Sequence, residues 1–229
     1  MEAFLLHRRR FRETSLLVEF LTFERGRISA VAKGALRAKS KLGTTLLPSI
    51  RMHLEITGRS NLPTLTKAEA IEHFQQIHGK NIYSFLYVNE LLTKLTVPND
   101  PVPKIYLEYQ NLIAALSSGC STESHLRYFE LTLLEMIGVK PTLDHTTDTN
   151  IPISPDKNYY FHPIDGLSET KDRDGQLEIR GKTLVNINNQ MELVGSFATE
   201  AKHLLRMSIG YHLDGKQVNS RRLFLDKPK

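Results

Sequence analysis

A single cysteine, Cys120, is all the thiol chemistry this 229-residue sequence holds. One cysteine forms no internal disulfide and supplies no cysteine-based zinc site, and an unpaired thiol fits a reducing compartment. Long apolar runs are missing too, and none approaches the roughly 20 residues that cross a bilayer as a helix. The opening MEAFLLHRRRF sets its few apolar residues ahead of its arginines, the reverse of a secretory leader, so the cytoplasm is the expected location. No P-loop, nucleophile elbow or dinucleotide fingerprint occurs, and nothing around Ser15, Ser29 or Cys120 suggests an activated nucleophile. A protein that is not an enzyme is expected, with no cofactor and no metal.

The most local absence is of acid. From Arg25 to Leu54 there are seven Lys or Arg and no Asp or Glu. Residues 1–70 carry 13 basic against 6 acidic side chains, whereas the rest carries 17 against 19. A basic first third on a near-neutral body points to one module that meets a polyanion and another that does something else. At 40% hydrophobic and 24% charged, the whole is otherwise ordinary for a globular protein.

What is present in that first third is strand pattern. AFLLHRRRF, SLLVEFLTF, RISAVAKG, SIRMHLEITG and LPTLTKAEAI are rich in Val, Ile, Phe, Thr and Leu, and Gly26, Gly34, Gly43, Gly58, Pro48 and Pro63 punctuate them. FERGR reads as a hairpin turn in which Gly26 supplies the unusual backbone angles. Five strands without a helical period predict a small closed or nearly closed barrel.

The period then changes. Residues 81–95 place Ile82, Phe85, Leu86, Asn89 and Leu92 near one helical face. After the break PNDPVP a second helix is predicted over 104–116, and a third over 125–138 with Leu126, Phe129, Leu133 and Ile137 on one stripe. Ser121 or Thr122 caps the third, and Gly138 ends it. Residues 139–181, with Pro141, Pro152, Pro155 and Pro163, show no clear period and read as an irregular subdomain. Helix returns over 198–213. The expected class is α+β, organised as 1–78 barrel, 79–140 helical and completed by 196–229, and 141–195 an irregular insertion.

Three basic groups fall within the barrel: Arg8, Arg9, Arg10 and Arg12; Lys33, Arg37, Lys39 and Lys41; Arg59 and Lys67. Lysines and arginines on a glycine-flanked loop can track phosphates, and small barrels bind single strands across one face and its loops. A solvated basic loop is the competing reading. Aromatic platforms are wanting: Phe4, Phe11, Phe20 and Phe23 fit core spacing at least as well, so salt-sensitive binding without a base code is expected. His145, Asp144, Asp148, His162 and Asp165 cluster in the irregular region, but their spacing matches no strong ligand motif, and an Asp-rich loop is the preferred reading.

RETSLLVEFLT (12–22), GRISAVAKGA (26–35), TLTKAEAI (64–71), LYVNELL (86–92), LRYFELTLLEMIG (126–138) and SRRLF (220–224) occur in the order seen in the bacterial recombination mediator family RecO, which the chain resembles nearly end to end. The resemblance implies an N-terminal five-stranded OB-fold barrel, an α-helical bundle and a small irregular C-terminal part. It implies a DNA repair and recombination mediator that binds single- and double-stranded DNA and anneals complementary strands. With RecR, such proteins help load RecA onto DNA coated by single-stranded-DNA-binding protein, SSB, and dock the C-terminal tail of SSB on the helices. By that resemblance Leu126, Arg127 and Leu131, in the family's LRxFEL helix, belong to the tail site, with Arg127 meeting a carboxylate. Lys202 and Arg206, one helical turn apart, complete its rim, though an ordinary solvated helix face explains them also. Some relatives bind zinc through four cysteines; residues 145–154 have none, so folding without metal is expected, and His145 is not taken as a replacement. Arg222 stands where the family's closing motif often has an acid. An RNA-binding barrel protein, a metal-dependent nuclease and a non-catalytic adaptor are the alternatives.

Overall fold

The computed structural model describes residues 1–58, 62–74, 76–118 and 122–224. The chain forms two compact units, residues 1–120 with 218–229 and residues 121–217. This division passes between the second and third predicted helices, so it groups the helices differently from the three-part organisation expected above.

In the first unit, β1 (Glu2–Phe11), β2 (Ser15–Thr22), β3 (Gly26–Ala32), β4 (Ile50–Thr57) and β5 (Thr64–His73) close into a barrel in the order β1-β2-β3-β5-β4. This is the five-stranded OB-fold barrel. Alternate residues point inward, so Leu16, Val18 and Phe20 of β2 meet Ile28, Ala30 and Ala32 of β3 and Met52 and Leu54 of β4 in one core. Full burial of such side chains contributes about 1.5–3 kcal/mol each. The β2–β3 turn requires its glycine: Gly26 has φ +62°, and a Cβ there would lie 1.7 Å from the Asp100 carbonyl oxygen.

The outer barrel face is covered as well, which is why Phe4 is as buried as its inward neighbours. It packs on Tyr106 and Tyr109 of α3 (Pro103–Ser118), with ring centroids 5.4 and 5.2 Å away. Beside α3 runs α2 (Asn81–Leu95). Its stripe is centred on Phe85, Val88, Leu91 and Leu92, whereas Ile82 and Leu86, expected on that face, are about 40% exposed at its edges. Buried Asn89 on this apolar face has partners: its Nδ2 donates to the Leu6 carbonyl at 3.1 Å, and its Oδ1 accepts from the Tyr109 hydroxyl at 2.8 Å. Burial pushes the Tyr109 phenol above its ordinary pKa, against the opposing pull of that hydrogen bond.

Late in the chain this unit includes a 3-10 turn (Asn219–Phe224) held by Glu90 of α2. The Glu90 carboxylate accepts from the backbone N–H groups of Asn219 and Ser220 at 2.9 and 2.8 Å and from the Ser220 hydroxyl at 2.6 Å. Burial opposes ionisation of Glu90, but these bonds and Lys94 outweigh it and hold the carboxyl down to about 2.

The second unit contains α4 (Glu123–Met136), α5 (Gly181–Asn188) and α6 (Gly195–His212). Where no period was found, a three-stranded antiparallel sheet in the order β7-β6-β8 stands, made of β6 (Asn158–His162), β7 (Gly166–Ser168) and β8 (Leu177–Arg180). Strands of five, three and four residues are too short to display a period against prolines and turns. Their buried residues, Tyr159, Phe161, Leu167 and Ile179, form an apolar face.

Candidate nucleic-acid interface

The basic residues of the barrel are gathered by backbone geometry. β1 and β2 are joined by a three-residue turn, Arg12 to Thr14, in which Arg12 takes the left-handed region at φ +57°. The segment after β3 folds back on this turn, with the Leu36 N–H donating to the Thr14 carbonyl at 2.9 Å. Consecutive tight turns follow, Arg37 N–H to Gly34 and Ser40 N–H to Arg37, at 3.1 and 3.0 Å. The short α1 (Lys41–Thr45) begins at Ser40, whose Oγ accepts the Gly43 N–H at 3.2 Å. Buried Ala35 and Leu46 anchor the arc in the barrel core. A Cβ on Gly43 would fall 2.2 Å from the Ala35 carbonyl oxygen, so helix and loop approach this closely only with glycine there.

Cross-strand register sorts the arginines of β1. The ladder shifts between Leu5 and His7, after which Arg8 pairs with Val18 and Arg10 with Leu16, while Arg9 pairs with Leu17. Paired residues share a face, so Arg8 and Arg10 are on the same side of the ladder as Val18 and Leu16, yet both side chains are exposed. Arg8 donates to the carbonyl of Leu46 at 2.7 Å and so ties β1 to the residue that follows α1. Arg8, Arg10, Arg12, Lys33, Arg37, Lys39 and Lys41 are all exposed at this end of the barrel. Among the described residues no carboxylate lies within ion-pair distance of Lys33, Arg37, Lys39 or Lys41. Cations on a stapled backbone, without acids to neutralise them, form a surface for a polyanion.

Two of the remaining expected contacts, Arg9 and Lys67, lie elsewhere on the barrel. Arg9 lies on the other side of β1, where it lines a cavity of about 620 Å³ with Leu6, His7, Leu86 and Glu90. Lys67 stands on β5 between Glu69 and Glu55, at 2.9 and 3.7 Å. Its hydrogen bond to Glu69 raises the pKa of the ammonium, and its charge is already matched locally. Arg59 lies outside the described residues.

Within the second unit, Leu126 and Leu131 are buried core residues of α4. Arg127, expected to face a carboxylate of a partner, is 2% exposed and pairs with Glu130 one turn on at 2.8 Å. Its guanidinium is turned inward, where the acid at i+3 offers a partner within the same helix. Lys202 and Arg206 of α6 are half-buried. Asp144 holds His145 at 2.6 Å, and Asp165 holds His162 and Arg173 at 3.0 and 2.8 Å. No group of three or more His, Cys, Asp or Glu converges as metal ligands among the described residues.

Sequence reading missed two features of the first unit. Leu47, Ile50, Phe74, Ile82 and Phe85 line a cavity of about 510 Å³ that shares Leu86 with the first. Glu90 fixes the closing SRRLF motif, and Arg221 of that motif stacks on Tyr87 at 5.5 Å from the ring centroid. The signal for both was present in the exposed edge of the α2 stripe, but only tertiary packing tells an edge from a centre. Among the described residues no helix is long and apolar enough to cross a membrane.

Comparison with known proteins covers almost the whole chain. Residues 1–74 match the model of the recombination protein O N-terminal region, and residues 78–222 that of its C-terminal region. The boundary between the two falls just after β5, where the barrel ends. The DNA repair protein RecO of Methylococcus capsulatus is 35% identical over 97% of this chain and 91% of its own length. That of Hamiltonella defensa is 36% identical over 97% and 95%, and that of Ralstonia nicotianae 33% identical over 99% and 84%.

Proposed function

The chain belongs to the RecO family of DNA repair proteins, and on that premise we propose that it binds single- and double-stranded DNA at the basic end of its barrel and anneals complementary strands. The observation that carries this reading is the arc of exposed, acid-free cations from Lys33 to Lys41, held against Arg8, Arg10 and Arg12. Annealing makes and breaks no covalent bond, so no catalytic residue is needed. Two phosphate backbones repel each other, and cationic side chains reduce that repulsion and release counterions. Lys as a flexible point charge and Arg as a planar fork both hold phosphate oxygens without reading a base, which suits strands of any sequence.

In the cell this activity would act with RecR to load RecA onto strands coated by SSB. Docking of the acidic, apolar SSB tail belongs to the second unit. Lys202 and Arg206, one turn apart on α6, are its proposed cationic contacts, since Arg127 already holds Glu130. The test is annealing of two complementary oligonucleotides precoated with SSB, with and without the SSB tail. Annealing that needs both this protein and the tail is expected. Annealing of bare strands alone would remove the tail contact, and no annealing by folded protein would remove the reading.

A further inference from the structure

Four phenylalanines lie on or beside β1 and β2, and the structure separates one from the rest. Phe4 and Phe20 are buried to 1% and 0%. Phe23 is exposed but sits beside the Ala3–Thr22 end of the hairpin, with its ring edge-on to Tyr106 at 5.5 Å. Phe11 is at the opposite end, the last residue of β1, half-buried and adjacent to the basic arc. It pairs across the ladder with Ser15, a small residue that leaves the ring without a bulky cross-strand neighbour. The guanidinium of Arg12 lies 5.3 Å from its ring centroid, held there by the left-handed backbone of the turn.

An aromatic face among cations is the second half of a single-strand site: the cations hold phosphates, and the ring receives a base. We propose that Phe11 is a base-stacking platform, with Arg12 as its cationic companion, and that it gives the basic end of the barrel a preference for single strands over duplex. This inference rests on the DNA-binding reading above. In duplex DNA the bases are stacked on one another and present no free face, so only the phosphate contacts remain available. Stacking is indifferent to base identity, which agrees with binding that carries no sequence code.

The test compares Phe11→Leu, which keeps the apolar volume and removes the π face, with Phe11→Tyr, which keeps both. Binding of oligothymidylate and of a duplex of matched length is measured across a salt series, on proteins shown to melt as the parent does. The inference predicts that Phe11→Leu weakens single-strand binding roughly tenfold, leaves duplex binding and the salt slope unchanged, and that Phe11→Tyr restores the affinity. A fluorescent purine analogue in the strand should also be quenched by the parent protein and not by Phe11→Leu. Equal single-strand affinity in parent and Phe11→Leu would overturn the platform while leaving DNA binding intact. Equal losses for strand and duplex would overturn it too, since stacking alone does not act on both. A parent protein that binds neither strand nor duplex would bring down the DNA-binding reading itself.

Discussion

Two stretches of this chain, 31–43 with four cations and 126–131 with the single Arg127, place their basic side chains in opposite environments. In the first, Lys33, Arg37, Lys39 and Lys41 stand exposed on a loop whose backbone is fixed by Leu36, Ala35 and Gly43. In the second, Arg127 is drawn into the packed side of α4 against Glu130. The difference lies in the neighbours. Along the chain around the loop there is no acid from Arg25 to Leu54, and its cations stay at the surface, where they need no partner to offset burial. On α4 an acid sits at i+3 and supplies that partner. A basic residue in a sequence therefore says less than the distance to the nearest acid on the same face.

This contrast can be broken most severely at α4. Arg127→Ala breaks a buried ion pair by removing one partner and should destabilise the protein by about 3–5 kcal/mol, read by denaturant unfolding. Arg37→Ala, a surface change, should move stability by no more than about 0.5 kcal/mol. Equal effects would mean that the two arginines are not in different environments. Glu90→Gln comes next. It keeps the shape but removes the charge from three hydrogen bonds, and should cost about 2 kcal/mol in docking the C-terminal turn, seen as faster hydrogen exchange at Asn219 and Ser220. Because the Glu90 carboxyl is held down to about 2, below its ordinary 4.5, its contribution is complete above pH 4.5 and fades as pH falls through that window. Protection of those two amides should follow the same course in the parent and be independent of pH in Glu90→Gln.

Gly43→Ala sharpens the comparison without removing a charge. The added methyl meets the Ala35 carbonyl, so the loop must shift; a stability loss of about 1–3 kcal/mol is expected, with weaker DNA binding although every cation is retained. The smallest effect is assigned to Lys67→Ala. With Glu55 and Glu69 already matching its charge, DNA affinity measured by anisotropy should stay within about twofold of the parent.

Much of the fold was legible from local signals. Five strands, the glycine at the β2–β3 turn and the span of α2 follow from alternation, turn chemistry and a 3.6-residue period. The sheet of β6, β7 and β8 was not, because such short strands are defined by their neighbours rather than by their own pattern. At the interface the identity of the exposed cations was readable, but their assembly was not. It depends on a ladder shift at Leu5 and His7 that decides which face Arg8 and Arg10 take, Arg9 taking the other, and on one long-range hydrogen bond from Leu36 to Thr14. Phe11 was hidden for a related reason: its spacing is that of core, and only its place at the strand end leaves it half-buried.

The central claim is that the arc from Lys33 to Lys41 holds phosphates. Its most direct test is the salt dependence of single-strand binding by a variant with Lys33, Arg37, Lys39 and Lys41 all replaced by Ala. If the four cations contact the backbone, the slope of log affinity against log salt flattens by about 0.7 for each lost contact, and affinity at low salt falls with it. An unchanged slope in a folded variant would contradict the account and place the DNA elsewhere on the molecule.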